Sequence, residues 1–196
     1  MTIVRLNQDP LFMAGRRAFL SHSGLTLSGA AIALLAGKPA LAATMKKTGA
    51  QAQATDVEIL SAALAAEHQG VAAYQVGAES GLLQKPVLDL AVQFQGHHKA
   101  HRDLLAATIK QLGGTPVDAK QKYDFPVDRL KSQADVLRFA AGLEQGAVSA
   151  YLGAIPEFGN RDLAKAAGSI LGDEAMHWAI LRNALGENPV PAAFVG

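Results

Sequence analysis

The chain has 196 residues, enough for one ordinary domain, and 49% apolar against 6% aromatic side chains is the balance of an Ala- and Leu-rich helical protein. It has no cysteine, which excludes disulfides, iron–sulfur clusters, thiolate zinc sites, cysteine nucleophiles and a lipoprotein-type anchor. The formal net charge of +1 divides into +3 over residues 1–42 (four basic, one acidic) and −2 over the rest (fourteen basic, sixteen acidic), so the main body has no basic stripe and nucleic acid is not an expected partner.

Residues 1–42 are organised as an export signal. Gly15-Arg16-Arg17-Ala18-Phe19-Leu20 precedes a mildly apolar stretch from Gly24 to Gly37, and Ala40-Leu41-Ala42-Ala43 then offers an A-x-A cleavage site after Ala42. Paired arginines followed by Phe-Leu, in register with the apolar stretch, resemble the twin-arginine motif. The expectation is a periplasmic or secreted protein that engages the twin-arginine export machinery. The apolar stretch falls short of the roughly 20 residues needed to cross a bilayer, so no permanent membrane span is expected.

Residues 43–54 are rich in Ala, Thr, Lys and Gln and read as a flexible leader. Thr55-Asp56-Val57-Glu58 fits a capping box. Apolar residues at Leu60, Leu64, Val71 and Tyr74 then mark one face of a first helix that runs to about Ser80 and stops at Gly81. The second helix starts near Pro86, with Val87, Phe94, Leu105, Ile109 and Leu112 on its stripe, and ends at Gly113-Gly114. The third opens at Ser132, carries Val136, Leu137, Val148, Tyr151, Leu152 and Ile155, and breaks at Pro156. The fourth follows Asn160, carries Leu163, Ile170, Leu171, Trp178, Leu181 and Leu185, and stops at Gly186, leaving a tail over 187–196. Without a period-2 alternation of useful length, the fold class is all-α: a four-helix bundle over 55–186, built as two antiparallel hairpins joined by a crossover long enough to run the length of the bundle.

The hairpins repeat each other. Glu67-His68-Gln69-Gly70-Val71-Ala72-Ala73-Tyr74 aligns with Glu144-Gln145-Gly146-Ala147-Val148-Ser149-Ala150-Tyr151, and His98-Lys99-Ala100-His101 aligns with Glu174-Ala175-Met176-His177. A near-constant offset points to an internal duplication packed with approximate two-fold symmetry.

Six polar residues fall on the apolar stripes at matching depth: Glu67, His98, His101, Glu144, Glu174 and His177. The i, i+3 spacing of His98 with His101, and of Glu174 with His177, puts each pair on one inward face. Three carboxylates converging in a core repel each other and resist ionisation unless paired. A divalent cation relieves both problems, and oxygen plus imidazole donors suit iron, manganese or zinc. The same six also read as a metal-free, hydrogen-bonded remnant of a lost site, and both readings stand on the sequence. His68, His97 and Asp173 are expected at the surface, Trp178 in packing, and Tyr74 and Tyr151 as hydrogen-bonded core tyrosines, with groups that support the cluster or redox relays as the alternative.

Glu on one helix, a paired motif on the next, Glu on the third and Glu-x-x-His on the fourth resemble the ferritin-like superfamily of di-iron and di-manganese carboxylate proteins, in particular the small exported bacterial ferritin-like domains. The resemblance covers residues 55–186. It implies terminal carboxylates at Glu67 and Glu144, a bridging carboxylate at Glu174, imidazole ligands at His101 and His177, and one or two bound ions, iron or manganese with zinc as a further candidate. It also implies iron oxidation or oxygen and peroxide handling in envelope stress. A non-catalytic stress or scaffold protein with a degenerate metal site is the alternative, and a second copy of the chain, as a homodimer, is a candidate partner. His98 departs from the pattern, since it stands where the family places a bridging Glu. The six then offer three negative charges rather than four, a net +1 with two divalent ions and −1 with one. With ten residues after the fourth helix and no fifth helix in sight, a storage cage is not expected.

Overall fold

The computed structural model describes residues 39–195, so the arginine pair and most of the expected export signal lie outside the described residues. The bundle lies in the unit that begins at Gln51. The helices are α1 (Pro39–Glu79), α2 (Lys85–Gln111), α3 (Gln133–Ala154) and α4 (Arg161–Ala184). Short 3₁₀ turns lie at Val127–Arg129 and Ile155–Glu157. There is no strand among the described residues, and no described helix is long and apolar enough to cross a membrane.

The helix ends follow local chemistry. Gly81 and Gly186, at φ 69° and 75°, take the left-handed conformation that closes a helix without a Cβ penalty. Ser132 accepts the Asp135 N–H through its Oγ at 3.2 Å, and Asn160 accepts the Asp162 N–H through its Oδ1 at 2.8 Å, so α3 and α4 each start on a side-chain cap. Pro156 breaks α3 into its 3₁₀ turn.

The first helix differs from expectation. It does not start at a capping box: α1 is helical from Pro39 through residues 43–54, and the Thr55 hydroxyl donates to the Gln51 carbonyl at 3.1 Å, one turn back inside the helix. The Ala, Lys and Gln that suggested a leader are strong helix formers, and composition alone does not separate a solvated helix from a coil. Asp56 has a different role from a cap residue of its own helix. Its buried carboxylate accepts the backbone N–H groups of Gly159 (2.8 Å) and Asn160 (3.1 Å), tying α1 to the turn before α4.

The core has two apolar layers. Leu60, Leu64, Leu105, Ile109, Tyr151, Leu163, Ala167 and Ile170 form one, and Tyr74, Ala91, Phe94, Leu137, Ala140, Ala141 and Leu181 the other. Trp178 packs against the second layer. The crossover between α2 and α3 is held to the bundle by His68, whose Nε2 donates to the Val117 carbonyl at 3.2 Å, and by Phe125 packed edge-on to Phe139 of α3. Between the two apolar layers, in sequence on every helix, lies a layer of charged side chains.

Candidate metal centre

Each helix delivers its polar residues from the middle of an apolar stripe, where neighbours on both sides fix the inward direction. Glu67 lies between Leu64 and Tyr74 on α1, His98 and His101 between Phe94 and Leu105 on α2, Glu144 between Ala141 and Val148 on α3, and Glu174 and His177 between Ile170 and Leu181 on α4. The fold brings all six together. The side chains of Glu144 and Glu174 are 1% and 0% exposed, that of His101 14%, and the other three are buried as well.

Two overlapping sets of four donors result. Glu67, His98, His101 and Glu174 present ligand-type atoms all within 4.8 Å of one another, and so do His98, Glu144, Glu174 and His177. His98 joins the two sets through opposite edges of its ring. Its Nδ1 donates to Glu67 Oε2 at 2.8 Å, and its Nε2 lies 3.3 Å from Glu144 Oε1. His101 Nδ1 donates to Glu174 Oε1 at 3.0 Å, and His177 Nδ1 is 3.3 Å from Glu174 Oε2 and 3.4 Å from Glu144 Oε1. Imidazole cannot bridge through two oxygens as a carboxylate does, but the two ring nitrogens of His98 face the two sets.

The tyrosines complete a reciprocal pattern. Tyr74 of α1 donates to Glu144 of α3, and Tyr151 of α3 donates to Glu67 of α1 at 2.7 Å. Both are core residues and both support the cluster, so the two expected roles coincide. Burial, followed by the charge of the accepting carboxylate, pushes both phenols far up, keeping them protonated donors.

Electrostatics in the cluster is decided by pairing. Burial by itself would lower the histidines, but hydrogen bonds to Glu144 and Glu67 push His98 up to about 10. Burial opposes the same effect at His101 and His177, which hydrogen bonds to Glu174 and Glu67, and to Glu144 and Glu174, push up to about 9. Burial would raise Glu67 and Glu144, yet hydrogen bonds from His101 and His98, and from His177 and His98, hold both below the usual carboxylate range. Without a metal the cluster is therefore a set of imidazolium–carboxylate pairs, and among the described residues every buried side-chain nitrogen and oxygen has a hydrogen-bond partner.

Asp173 and His97 correct the surface reading. Asp173 Oδ2 lies 3.1 Å from His97 Nδ1, 3.3 Å from His101 Nε2 and 3.3 Å from His177 Nε2, with the carboxylate 21% exposed. His97 Nδ1 and His177 Nε2 share a hydrogen bond at 2.9 Å, and Phe94 stacks on the His177 ring with centroids 4.0 Å apart. Both residues sit one position before a candidate ligand, so a strict i, i+3 template discards them. The signal that was available is their equivalence in the repeat, His97-His98-x-x-His101 against Asp173-Glu174-x-x-His177. Asp173 brings a fourth carboxylate to the edge of the cluster and offsets the charge that His98 removes.

Between α1 and α3 a cavity of about 220 Å³ has Gly70, Gly142, Gly146, Ala147 and Ala150 in its lining, together with Glu67, Glu144 and His98. Gly70 gives the ring beside it room for a close approach. A Cβ there would lie 3.0 to 3.2 Å from three atoms of the His98 imidazole, closer than side chains normally tolerate.

The sequence profile of the ferritin-like domain matches residues 55–187. The chain belongs to the ferritin-like domain family. A solved structure, a conserved hypothetical protein (rv2844) from Mycobacterium tuberculosis, superposes with a TM-score of 0.64 at 26% identity, over 73% of this chain and 99% of that one. No curated relative matches the chain. Within this ferritin-like bundle the donor chemistry suits a divalent cation: hard carboxylate oxygens and imidazole nitrogens, converging in a buried layer where each carboxylate otherwise requires an imidazolium beside it.

Proposed function

We propose that this ferritin-like chain is an exported protein whose core binds one or two divalent ions, iron or manganese, and uses them in iron oxidation or in handling oxygen or peroxide in the cell envelope. The observation that carries the reading is the convergence of Glu67, His98, His101, Glu144, Glu174 and His177 in one buried layer, with two four-donor sets sharing His98 and Glu174. When bound, a redox-active ion would supply the electrons that such chemistry needs. The chain's own residues supply the rest. Glu67, Glu144 and Glu174 would hold the ions, with His101 and His177 as nitrogen ligands and His98 between the sets. Tyr74 and Tyr151 hold Glu144 and Glu67 in place from opposite helices. The small-residue cavity between α1 and α3 gives a small molecule room beside Glu67, Glu144 and His98.

Export through the twin-arginine route is part of the same proposal and is supported by Arg16-Arg17 in register with the apolar stretch and the A-x-A site. That route carries folded passengers, which suits a protein loaded with its ion before translocation. A second reading, a non-catalytic stress or scaffold protein with a degenerate site, is favoured by one observation: the cluster satisfies all its buried polar atoms through its own hydrogen bonds.

Elemental analysis of the natively exported protein separates the two. The metal reading expects at least ~0.5 iron or manganese per chain, lost in Glu174→Ala, because ligands preformed in the fold bind tightly and depend on each member. Metal content near zero, or unchanged in the variant, overturns it. Replacing Arg16 and Arg17 by Lys is expected to leave the protein in the cytoplasm, read by fractionation.

A further inference from the structure

We propose that His97, Asp173 and His177 form a second divalent-cation site on the α2–α4 flank of the bundle, separate from the buried cluster and adjoining it through the His177 ring. Three donor atoms define it, and all three sides of their triangle are short. His97 Nδ1 to His177 Nε2 is 2.9 Å, His97 Nδ1 to Asp173 Oδ2 is 3.1 Å, and His177 Nε2 to Asp173 Oδ2 is 3.3 Å. An ion with bonds of ~2.1 Å and ligand angles between octahedral and tetrahedral values holds neighbouring donors roughly 3.0–3.4 Å apart. The triangle already has those edges, so a cation can cap it ~1.1 Å above its plane with side-chain shifts of tenths of an ångström.

The flank reaches solvent through His97 and Asp173, and His101 Nε2 lies 3.3 Å from Asp173 Oδ2 on its inner side. The side chains of His97 and Asp173 are 38% and 21% exposed, whereas that of His177 is 2% exposed and held by the stacked Phe94 ring. Two imidazoles and one carboxylate on one face, with open positions opposite, suit Fe²⁺, Mn²⁺, Co²⁺ or Zn²⁺ rather than Ca²⁺ or Mg²⁺.

His177 sets the relation to the core. With Nε2 on the flank ion, the ring proton resides on Nδ1, directed at Glu174 Oε2 (3.3 Å) and Glu144 Oε1 (3.4 Å). That is a carboxylate–histidine–metal arrangement, which fixes the ring and strengthens it as a ligand. In the core reading the same ring binds through Nδ1 instead. A neutral His177 therefore serves one site at a time, and a cation captured on the flank lies one imidazole width from the core. The flank site extends the metal-binding reading without requiring it, because His97 and Asp173 are not among the core donors.

The test is cobalt binding to metal-free full-length protein, with stoichiometry from equilibrium dialysis and geometry from the visible absorption of Co²⁺. Because the two sites compete for His177, the readout is the flank ion itself: wild type is expected to bind it at least ~10-fold more tightly than His97→Ala or Asp173→Asn, and its Co²⁺ spectrum is expected to be missing from both variants. Glu67→Gln is expected to keep the flank equivalent and its spectrum. Because His97 is partly exposed, His97→Ala should melt close to wild type, and His97→Gln repeats the test with the volume retained. Identical cobalt stoichiometry, affinity and spectrum in wild type and the flank variants overturn the flank site and leave the core reading untouched. Loss of all cobalt in Glu67→Gln also overturns it. A single equivalent that survives Glu67→Gln and vanishes in His97→Ala supports the flank site and removes the core one.

Discussion

The two hairpins share a backbone plan and differ in the charge they bring to the centre. α1 and α3 are near copies at the cluster: Glu67 and Glu144 occupy equivalent positions, and Tyr74 and Tyr151 reach across to each other's Glu. α2 and α4 diverge at two adjacent positions, where His97-His98 in the first hairpin faces Asp173-Glu174 in the second, while His101 and His177 remain equivalent. An identical pair of halves would set Asp against Asp and Glu against Glu across the axis. The divergence places base against acid instead, with His97 3.1 Å from Asp173 and His98 3.6 Å from Glu174. Symmetry of the chain path does not require symmetry of charge, and a layer buried this deeply is more stable when the two halves complement each other.

The accommodation extends one residue further. His98 is bulkier than its counterpart Glu174, and the α1 residue packed against it is Gly70, where the equivalent on α3 is Ala147. The extra ring and the missing methyl belong together.

The largest break of the comparison comes from its symmetric members. Replacing Glu67 or Glu144 by Ala leaves buried imidazolium groups without their carboxylate, and each is expected to destabilise the metal-free protein by about 3–5 kcal/mol. Urea unfolding measures this, and the two losses should agree to within ~1 kcal/mol if the halves are equivalent at these positions. A much smaller loss at either would mean that the cluster is looser than its hydrogen bonds indicate.

A sharper test uses the asymmetric pair. Gly70→Ala is expected to cost about 1–3 kcal/mol through overpacking against His98. The same change made in a His98→Glu background should cost little or nothing, since that background restores the residue types, Ala147 and Glu174, that the other hairpin has at the equivalent positions. A double-mutant cycle reads the coupling, and additive losses would show that the Gly70–His98 fit has no energetic role.

The broadest test is the pH dependence. His98, raised to about 10, and His101 and His177, raised to about 9, add stability that is fully present below their unfolded value of about 6.5 and is lost as pH climbs through 9 to 10. Glu67 and Glu144, held low, add stability that is present above about 4.5 and is lost as pH falls. Melting temperatures of metal-free protein should therefore form a plateau between about pH 5 and 6.5 and decline on both sides. Added Mn²⁺ should raise the alkaline limb most, where the cation replaces imidazolium charge; a flat profile would contradict the pairing.

Much of this was legible in the chain, for identifiable reasons. The helices follow from apolar spacing, and their ends from Gly81, Ser132, Pro156, Asn160 and Gly186, each of which acts locally. The six central residues were legible because charge on an apolar stripe is conspicuous. Asp173 and His97 were not, because a residue at the margin of a stripe is turned inward only by its neighbours on another helix. The start of α1 was missed since Ala, Lys and Gln look alike in a helix and in a coil, and the role of Asp56 was hidden because its acceptors serve a turn about a hundred positions downstream.

That contact has its own consequence. Asp56 satisfies two amides just before the last helix from within the first, so the turn that closes the second hairpin takes part of its hydrogen bonding from the first. A repeat of two similar hairpins could have melted as two independent units. This linkage, together with the crossed tyrosines, couples the two halves, so the bundle is expected to melt in a single transition.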